Sequence, residues 1–351
     1  MAANTRKRAA KGAGKIPVTL IPGDGIGTEV TEATLEVLDA VGAPFEYEWR
    51  TAGVTGLKKE GDPLPAATIE SIRRTRLALK GPLATPVGGG FRSSNVRLRE
   101  EFQLFANLRP ARTLIPGGRY ENIDLVLVRE NLEGLYVGFE HYIPVGDDPR
   151  AVALASGVNT RAGGRRICEF AFDYALKNKR RKVTLVHKAN VLKALTGLFL
   201  EAGREVAREY AGKVECDERI IDACAMQLVM NPYQFDVIVT TNLFGDILSD
   251  LNAGLVGGLG MAPAGNIGKD AAIFEAVHGS APDIAGKGIA NPLALMLSAA
   301  MMLDHTGHQD KAKRVRKAID DVLLKDKVRT GDLGGKANTK QFTQAVVKRL
   351  K

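Results

Sequence analysis

The sequence predicts an α/β protein, with helices layered around a sheet, and three observations carry that reading. IPVTLIPG alternates Ile16, Val18 and Leu20 and then stops at Pro-Gly, as a strand entering a turn does. The next segment, 28-TEVTEATLEVLDAVG-42, places apolar residues at 30, 33, 37, 38 and 41, which is helical spacing ended by Gly42. The order repeats later, where KVTLVHKAN (182–190) precedes the helical pattern 191-VLKALTGLFLEAGREVAREYA-211.

Other strand candidates are RLALKG (76–81), IDLVLVREN (123–131) and FDVIVTTN (235–242). A helix is expected over 292-PLALMLSAAMMLDH-305, with Pro292 at its first position and Asn291 at its cap. Another is expected to start near Asn95, where Ser93 is placed to cap it. The Gly- and Pro-rich segments 81–92, 254–268 and 278–292 read as long connections, longer than most loops and of the kind that often carries function. No internal repeat is apparent.

With 351 residues, 45% hydrophobic and 25% charged, the chain is long enough for two domains and has a globular composition. Cys168, Cys216 and Cys224 are odd in number and fit no metal-ligand spacing, so they read as reduced thiols of a cytoplasmic protein. The longest apolar run, 293-LALMLSAAMML-303, is too short to cross a bilayer. The start, MAANTRKRAAKGAGK, lacks an apolar segment and is expected to be a disordered basic arm over 1–15 rather than a secretory signal. The formal charge of +9 is concentrated in this arm and in the region from Asp310 on, neither with aromatic interleaving, and the middle is net acidic. Nucleic-acid binding and membrane insertion are therefore not expected as functions.

Chemistry concentrates in a few places. After the glycines of 86-PVGGGFRSSNVRLREEFQLFANLRPAR-112 come Ser93, Asn95, Arg97, Arg99, Arg109 and Arg112, and Arg129 follows another strand. Arginines converging on one pocket would grip a substrate with several carboxylates, although any one alone reads equally as a solvated side chain. Lys188 ends the strand VTLV, where open α/β sheets place ligands. Tyr136 is a proton donor or an ordinary packed aromatic.

In 240-TTNLFGDILSD-250, Asp246 and Asp250 are one helical turn apart. They either share a hard divalent cation, or cap a helix and face water. Asp222 is a possible third carboxylate. PGDGIG lacks the spacing of a dinucleotide fingerprint, so a generic Rossmann domain is not expected.

Taken together, IPGDGIG, GPLATPVGGG, LFANLRP, VHKANVLK, TTNLFGDILSD, GLGMAPAGN, HGSAPDIAGKGIANP and RTGDLGG, in that order over 21–335, resemble the β-decarboxylating dehydrogenases. That family includes isocitrate, isopropylmalate, homoisocitrate and tartrate dehydrogenases. The resemblance implies an isocitrate/isopropylmalate dehydrogenase-like α/β fold. In it, a mixed-sheet large domain (16–104 and 257–351) binds the cofactor, and an inserted small α/β domain (105–256) serves substrate binding and dimerisation. A clasp would lie near 134–160.

It also implies that Arg99, Arg109 and Arg129 clamp substrate carboxylates, with Tyr136 and Lys188 as acid–base residues. Asp222, Asp246 and Asp250 would surround Mg²⁺ or Mn²⁺. Lys188 and Asp222 would come from the neighbouring subunit of a homodimer with shared active sites.

Within the resemblance, Ser93 and Asn95 sit where the distal carboxylate of isocitrate is bound, whereas isopropylmalate enzymes place apolar residues there. A polar site rejects an apolar substituent because its own groups lose their partners. Asp283 and Ile284 replace the Lys-Tyr typical of NADP users, and an Asp would repel a 2′-phosphate. Thr85, Asn190, His278, Asn291 and Asp332 match further cofactor positions.

The expected activity is NAD-dependent oxidative decarboxylation of isocitrate to 2-oxoglutarate and CO₂, a tricarboxylic acid cycle reaction. Homoisocitrate and 3-isopropylmalate are the alternative substrates, and a non-catalytic regulatory role within a hetero-oligomer is the alternative function.

Overall fold

The computed structural model describes residues 14–86 and 90–351, so most of the expected basic arm and residues 87–89 lie outside the described residues. Ten strands form one mixed sheet in the order β2-β1-β3-β12-β11-β4-β5-β10-β8-β9, and a separate hairpin pairs β6 with β7. Here β1 is Ile16–Ile21, β2 Phe45–Trp49, β3 Leu77–Lys80, β4 Ala106–Arg112, β5 Asp124–Glu130 and β6 Gly134–Val145. They are followed by β7 Asp148–Val158, β8 Lys182–His187, β9 Glu215–Ile220, β10 Val237–Thr240, β11 Pro263–Ile267 and β12 Ala272–Ala276.

Strand β11 runs antiparallel to both β12 and β4, and β4 antiparallel to β5, while the other pairs of the large sheet are parallel. This departs from a doubly wound sheet. The central β5 (DLVLVRE) is buried along all but its first residue, as a strand covered on both faces must be. The outermost strands, β2 (FEYEW) and β9 (ECDERI), are polar, which blunts the edges.

Each half of the sheet is a three-layer sandwich with helices on both faces. In one half, α1 (Gly27–Ala40), α9 (Leu293–His305), α10 (Gln309–Asp321) and α11 (Thr339–Leu350) pack over one face. The opposite face carries α2 (Gly53–Glu60), α3 (Ala66–Thr75) and α4 (Ser94–Glu101). In the other half α5 (Arg161–Lys177) and α6 (Leu195–Glu209) cover one face, and α7 (Ile221–Met230) and α8 (Asn242–Val256) the other. Local chemistry fixes several ends. Thr160 Oγ1 accepts from Gly163 N at 2.9 Å to cap α5, and Asn338 and Gln341 form a reciprocal capping box on α11.

Several expectations shift. The segment 254–268 is not a loop: it contains the end of α8 and the whole of β11, whose buried PAGNI lacks the β-branched signal of a strand. Helix α6 begins at Leu195 rather than 191, because residues 188–194 form turns. Helix α9 begins at Leu293 with Pro292 as its cap residue, but Asn291 Oδ1 still accepts from Leu293 N at 3.0 Å. Ser93 precedes α4 without a side-chain capping bond.

The hairpin β6–β7 stands apart from the sheet and exposes Phe139, Tyr142, Ile143, Val145 and Val152. No helix among the described residues is long and apolar enough to cross a membrane.

Candidate active site

The three arginines meet. Arg99 comes from α4, Arg109 from the middle of β4 and Arg129 from the end of β5, and they are 9%, 8% and 1% exposed. All line one cavity of about 330 Å³ together with Ser93, Asn95, Tyr136 and Asp246. Arg129 reaches it by lying across α8 at Gly245, where an added Cβ would come within 2.5 Å of Arg129 Cγ. Its Nε and Nη2 donate to Asn242 Oδ1 at 3.0 and 2.7 Å, and Nη1 pairs with Asp246. Burial and the neighbouring Arg99 guanidinium draw both Arg109 and Arg129 below the usual arginine range.

Asp246 does not cap α8, since Thr241 holds the cap position. Its Oδ2 accepts from the Tyr136 hydroxyl at 2.8 Å, and the Arg129 guanidinium carbon lies 5.5 Å from the Tyr136 ring centroid. Arg109 Nη1 is 3.7 Å from Asp246 and 3.6 Å from Asp250, so the two carboxylates converge on one guanidinium edge.

Burial would raise the Asp246 carboxyl, but Arg129, the Tyr136 hydroxyl and Arg109 outweigh it and hold it below the ordinary range. Asp250 is instead raised, chiefly by burial, with Arg109 opposing. Burial and the bond to Asp246 raise the Tyr136 phenol.

These carboxylates offer the oxygen donors that a hard divalent cation takes. Among the described residues, however, no three His, Cys, Asp or Glu side chains of one chain are grouped as metal ligands. Asp222 lies elsewhere, at the start of α7, where it accepts from Lys188 Nζ at 2.5 Å. Neither Lys188 nor Asp222 lines the arginine cavity. A single chain thus separates the predicted site into a lined cavity and a surface Lys–Asp pair.

A second cavity, of about 540 Å³, adjoins the first and shares His278 and Gly279 with it. His278, Ile284, Asn291 and Asp332 line it, and Asn291 Nδ2 donates to Asp332 Oδ2 at 2.9 Å. Thr85, Asn190 and Asp283 are exposed and line neither cavity, so the structure does not bring these three into the concave site. Two buried atoms on the cavity walls, Asn95 Oδ1 and His278 Nε2, have no hydrogen-bond partner among the described residues. Such atoms suit a polar ligand.

The IPGDGIG turn ties the walls together. Asp24 accepts from Val54 N, Thr55 N and Ala84 N at 3.0, 2.8 and 2.9 Å, and Ile26 N donates to Ser280 O at 2.9 Å. Gly25, at φ +57°, leaves no room for a side chain: a Cβ would lie 1.9 Å from Ser280 O.

Sequence reasoning missed two lining residues, Lys80 and Glu275, which form a buried ion pair at 2.7 Å. Lys80 ends β3 just as Lys188 follows the end of β8, so the same strand-end signal was there to read. Glu275, inside the apolar strand AIFEA, carried no such signal beyond being a charge in a buried run.

A larger concavity, about 710 Å³, lies among β4, α5, α9 and α10 and contains, of the arginines singled out in the sequence, only Arg112. Its arginines are already paired, Arg112 with Asp320 at 2.6 Å and Arg180 with Asp124 at 2.6 Å, and its floor is apolar, so it offers little to a polyanion.

A fold of this kind, with a mixed sheet and a buried arginine cluster, accompanies a sequence match to the isocitrate/isopropylmalate dehydrogenase family over residues 17–346. The chain belongs to that family. It is 49% identical to a mitochondrial, NAD-type isocitrate dehydrogenase regulatory polypeptide of Dictyostelium discoideum, covering 95% of this chain and 91% of that one. It is 50% identical to the isocitrate/homoisocitrate dehydrogenase of Thermus thermophilus, covering 95% and 98%. The crystal structure of isocitrate dehydrogenase from Methylococcus capsulatus matches with a TM-score of 0.92 and 53% identity, covering 95% of this chain and 99% of that chain.

Proposed function

We propose that this protein is a catalytic, NAD-dependent isocitrate dehydrogenase that oxidises and decarboxylates isocitrate to 2-oxoglutarate. The observation that carries this is the burial of Arg99, Arg109 and Arg129 in one cavity. Three desolvated cations repel one another, and an anion with several carboxylates relieves that repulsion while satisfying their paired donors. Ser93 and Asn95 on the same wall favour a substrate that ends in a carboxylate over one that ends in an isopropyl group. The names of the relatives from Dictyostelium and Thermus both support isocitrate as substrate, and the Dictyostelium name supports NAD.

When bound, NAD⁺ would supply the hydride acceptor, and a divalent cation would supply Lewis-acid assistance, held by Asp246 and Asp250 with Asp222 of a second copy of the chain. The residues of the chain do the rest. Arg99, Arg109 and Arg129 would bind and orient the tricarboxylate in their cavity. Lys188 takes part in removing the hydroxyl proton, and Tyr136 delivers a proton to the substrate carbon after CO₂ departs. Asp246 holds the Tyr136 hydroxyl in place. On the cofactor side, His278, Asn291 and Asp332, which line the second cavity, receive the adenosine.

The active unit in this reading is a homodimer, in which the Lys188–Asp222 pair completes the partner's cavity. The exposed apolar residues of β6–β7 form the clasp. The large domain comprises 16–104 and 257–351, the small domain 105–256, and the protein works in the cytoplasm.

One spectrophotometric panel tests the function: isocitrate, homoisocitrate, 3-isopropylmalate and tartrate with NAD⁺ or NADP⁺, with and without Mn²⁺. The expected result is Mn²⁺-dependent NADH formation with the highest kcat/KM on isocitrate. A higher kcat/KM on homoisocitrate would transfer the assignment to that substrate, which the name of the Thermus relative includes. No turnover by the chain alone, with turnover restored by a second type of polypeptide, would favour the regulatory role named for the Dictyostelium relative.

A further inference from the structure

The two halves of the ten-stranded sheet meet at a single strand pair, β11 with β4, over only three register positions. At the middle position Asn266 stands directly opposite Asn107. Both are buried, at 2% and 0% exposure, and Asn107 Nδ2 donates to Asn266 Oδ1 at 3.0 Å. From Asn107 the chain of hydrogen bonds continues into the arginine clamp, because Asn107 Oδ1 accepts from Arg109 Nε at 3.2 Å. From Asn266 it continues the other way, since Asn266 Nδ2 donates to Glu275 Oε1 at 2.7 Å. Glu275 in turn holds Lys80 at 2.7 Å. Five buried side chains therefore link two walls of the substrate cavity through one amide–amide contact.

We propose that Asn266 is a positioning residue for substrate binding, fixing the Arg109 guanidinium through Asn107 relative to the Lys80–Glu275 wall. This rests on the isocitrate reading of the cavity. The physical reason lies in the donors and acceptors. Asn107 has one acceptor oxygen to offer Arg109 Nε, and the orientation of its amide is set by the acceptor across the strand junction. Without Asn266 Oδ1, the amide of Asn107 is free to turn, and Arg109 loses the partner of its Nε, keeping only the Nη1 contacts to Ser249, Asp246 and Asp250. Three ladder positions alone hold the backbones but leave that side-chain orientation unset. Asn131 provides an internal comparison. Its Nδ2 also donates to Asn266 Oδ1 at 3.0 Å, yet it does not lead to Arg109.

The test measures KM for isocitrate, KM for NAD⁺, kcat and thermal midpoint in Asn266→Ala, Asn107→Ala and Asn131→Ala. The expected result is an increase of about tenfold in KM for isocitrate in Asn266→Ala and Asn107→Ala, with KM for NAD⁺ within about twofold of wild type. Asn131→Ala should lower the thermal midpoint comparably while leaving KM for isocitrate unmoved. The double variant Asn107→Ala/Asn266→Ala should bind isocitrate no worse than Asn266→Ala alone, because the two residues act in series.

An unchanged KM for isocitrate in folded Asn266→Ala, an equal increase in Asn131→Ala, or additive increases in the double variant would overturn the proposal. If Asn266→Ala does not fold, the contrast between Asn107→Ala and Asn131→Ala decides. Wild-type protein run alongside keeps the readings separate. Absence of isocitrate turnover there removes the proposed function, whereas wild-type turnover with unmoved KM in the variants removes this inference alone.

Discussion

The Tyr136 hydroxyl donates to Asp246 Oδ2 at 2.8 Å while Asp246 Oδ1 is paired with Arg129, so one carboxylate joins a phenol to the arginine cluster. Tyr136→Phe removes only the oxygen and its proton, leaving the ring beneath Arg129. The expected outcome is a fall in kcat of about 10²–10⁴-fold, the usual scale for losing a general acid, with little change in KM for isocitrate. Stopped-flow measurement of NADH formation beside CO₂ release should show that hydride transfer suffers less than the later protonation.

The separation of Lys188 and Asp222 from the arginine cavity permits a complementation test. Lys188→Met and Tyr136→Phe homodimers should each be nearly inactive. Mixed dimers contain one site with both residues intact and one with both altered. Random exchange of equal amounts of the two proteins should therefore restore about a quarter of wild-type activity. No recovery after verified exchange of protomers would mean that Lys188 serves its own chain's site.

Asp250 faces Arg109 and carries a carboxyl raised chiefly by burial. Asp250→Asn should weaken Mn²⁺ binding by at least about tenfold in an equilibrium titration without substrate, because a neutral amide replaces an anionic ligand. In the wild-type protein, Mn²⁺ affinity should fall as pH drops through the raised pKa of Asp250, since the cation competes with the proton there. An identical titration curve for Asp250→Asn would return this residue to the role of a surface charge.

Glu275 supplies a pH prediction for the fold itself. Burial would raise its carboxyl, but Lys80 and Arg99 reverse that and hold it down to about 2, against an ordinary 4.5. A carboxyl depressed in the folded state contributes stability that is fully present above the unfolded pKa. That contribution is lost as pH falls from 4.5 toward 2. Urea denaturation across this interval should show a loss of stability that is smaller in Glu275→Gln. At neutral pH that variant should be less stable than wild type, because Lys80 keeps its buried charge without a counterion.

Much of this architecture was legible in the sequence because strong periodicity and punctuation coincide in it. Strands β1, β5 and β8 and helices α1 and α9 follow directly from apolar spacing bounded by Gly, Pro or Asn. Strand β11 did not, since Pro263, Ala264, Gly265 and Asn266 have low strand preference and are held by pairing on both sides. The arginines were visible as a cluster of one chemistry, but their convergence depended on β4, β5 and α4 meeting, which spacing does not encode. Lys80, Glu275 and Asn266 were hidden for a related reason. Their contacts join segments far apart in sequence; Lys80 and Glu275 sit inside runs that read as ordinary core, and Asn266 inside one that reads as a connection.

Gly25 lines neither cavity, yet a Cβ added to it would lie 1.9 Å from the Ser280 carbonyl oxygen. One added methyl group there would push back the 278–281 segment, and His278 and Gly279 in that segment border both cavities. Inactivating substitutions should therefore appear at a glycine that lines neither cavity, and a survey limited to lining residues would pass over them.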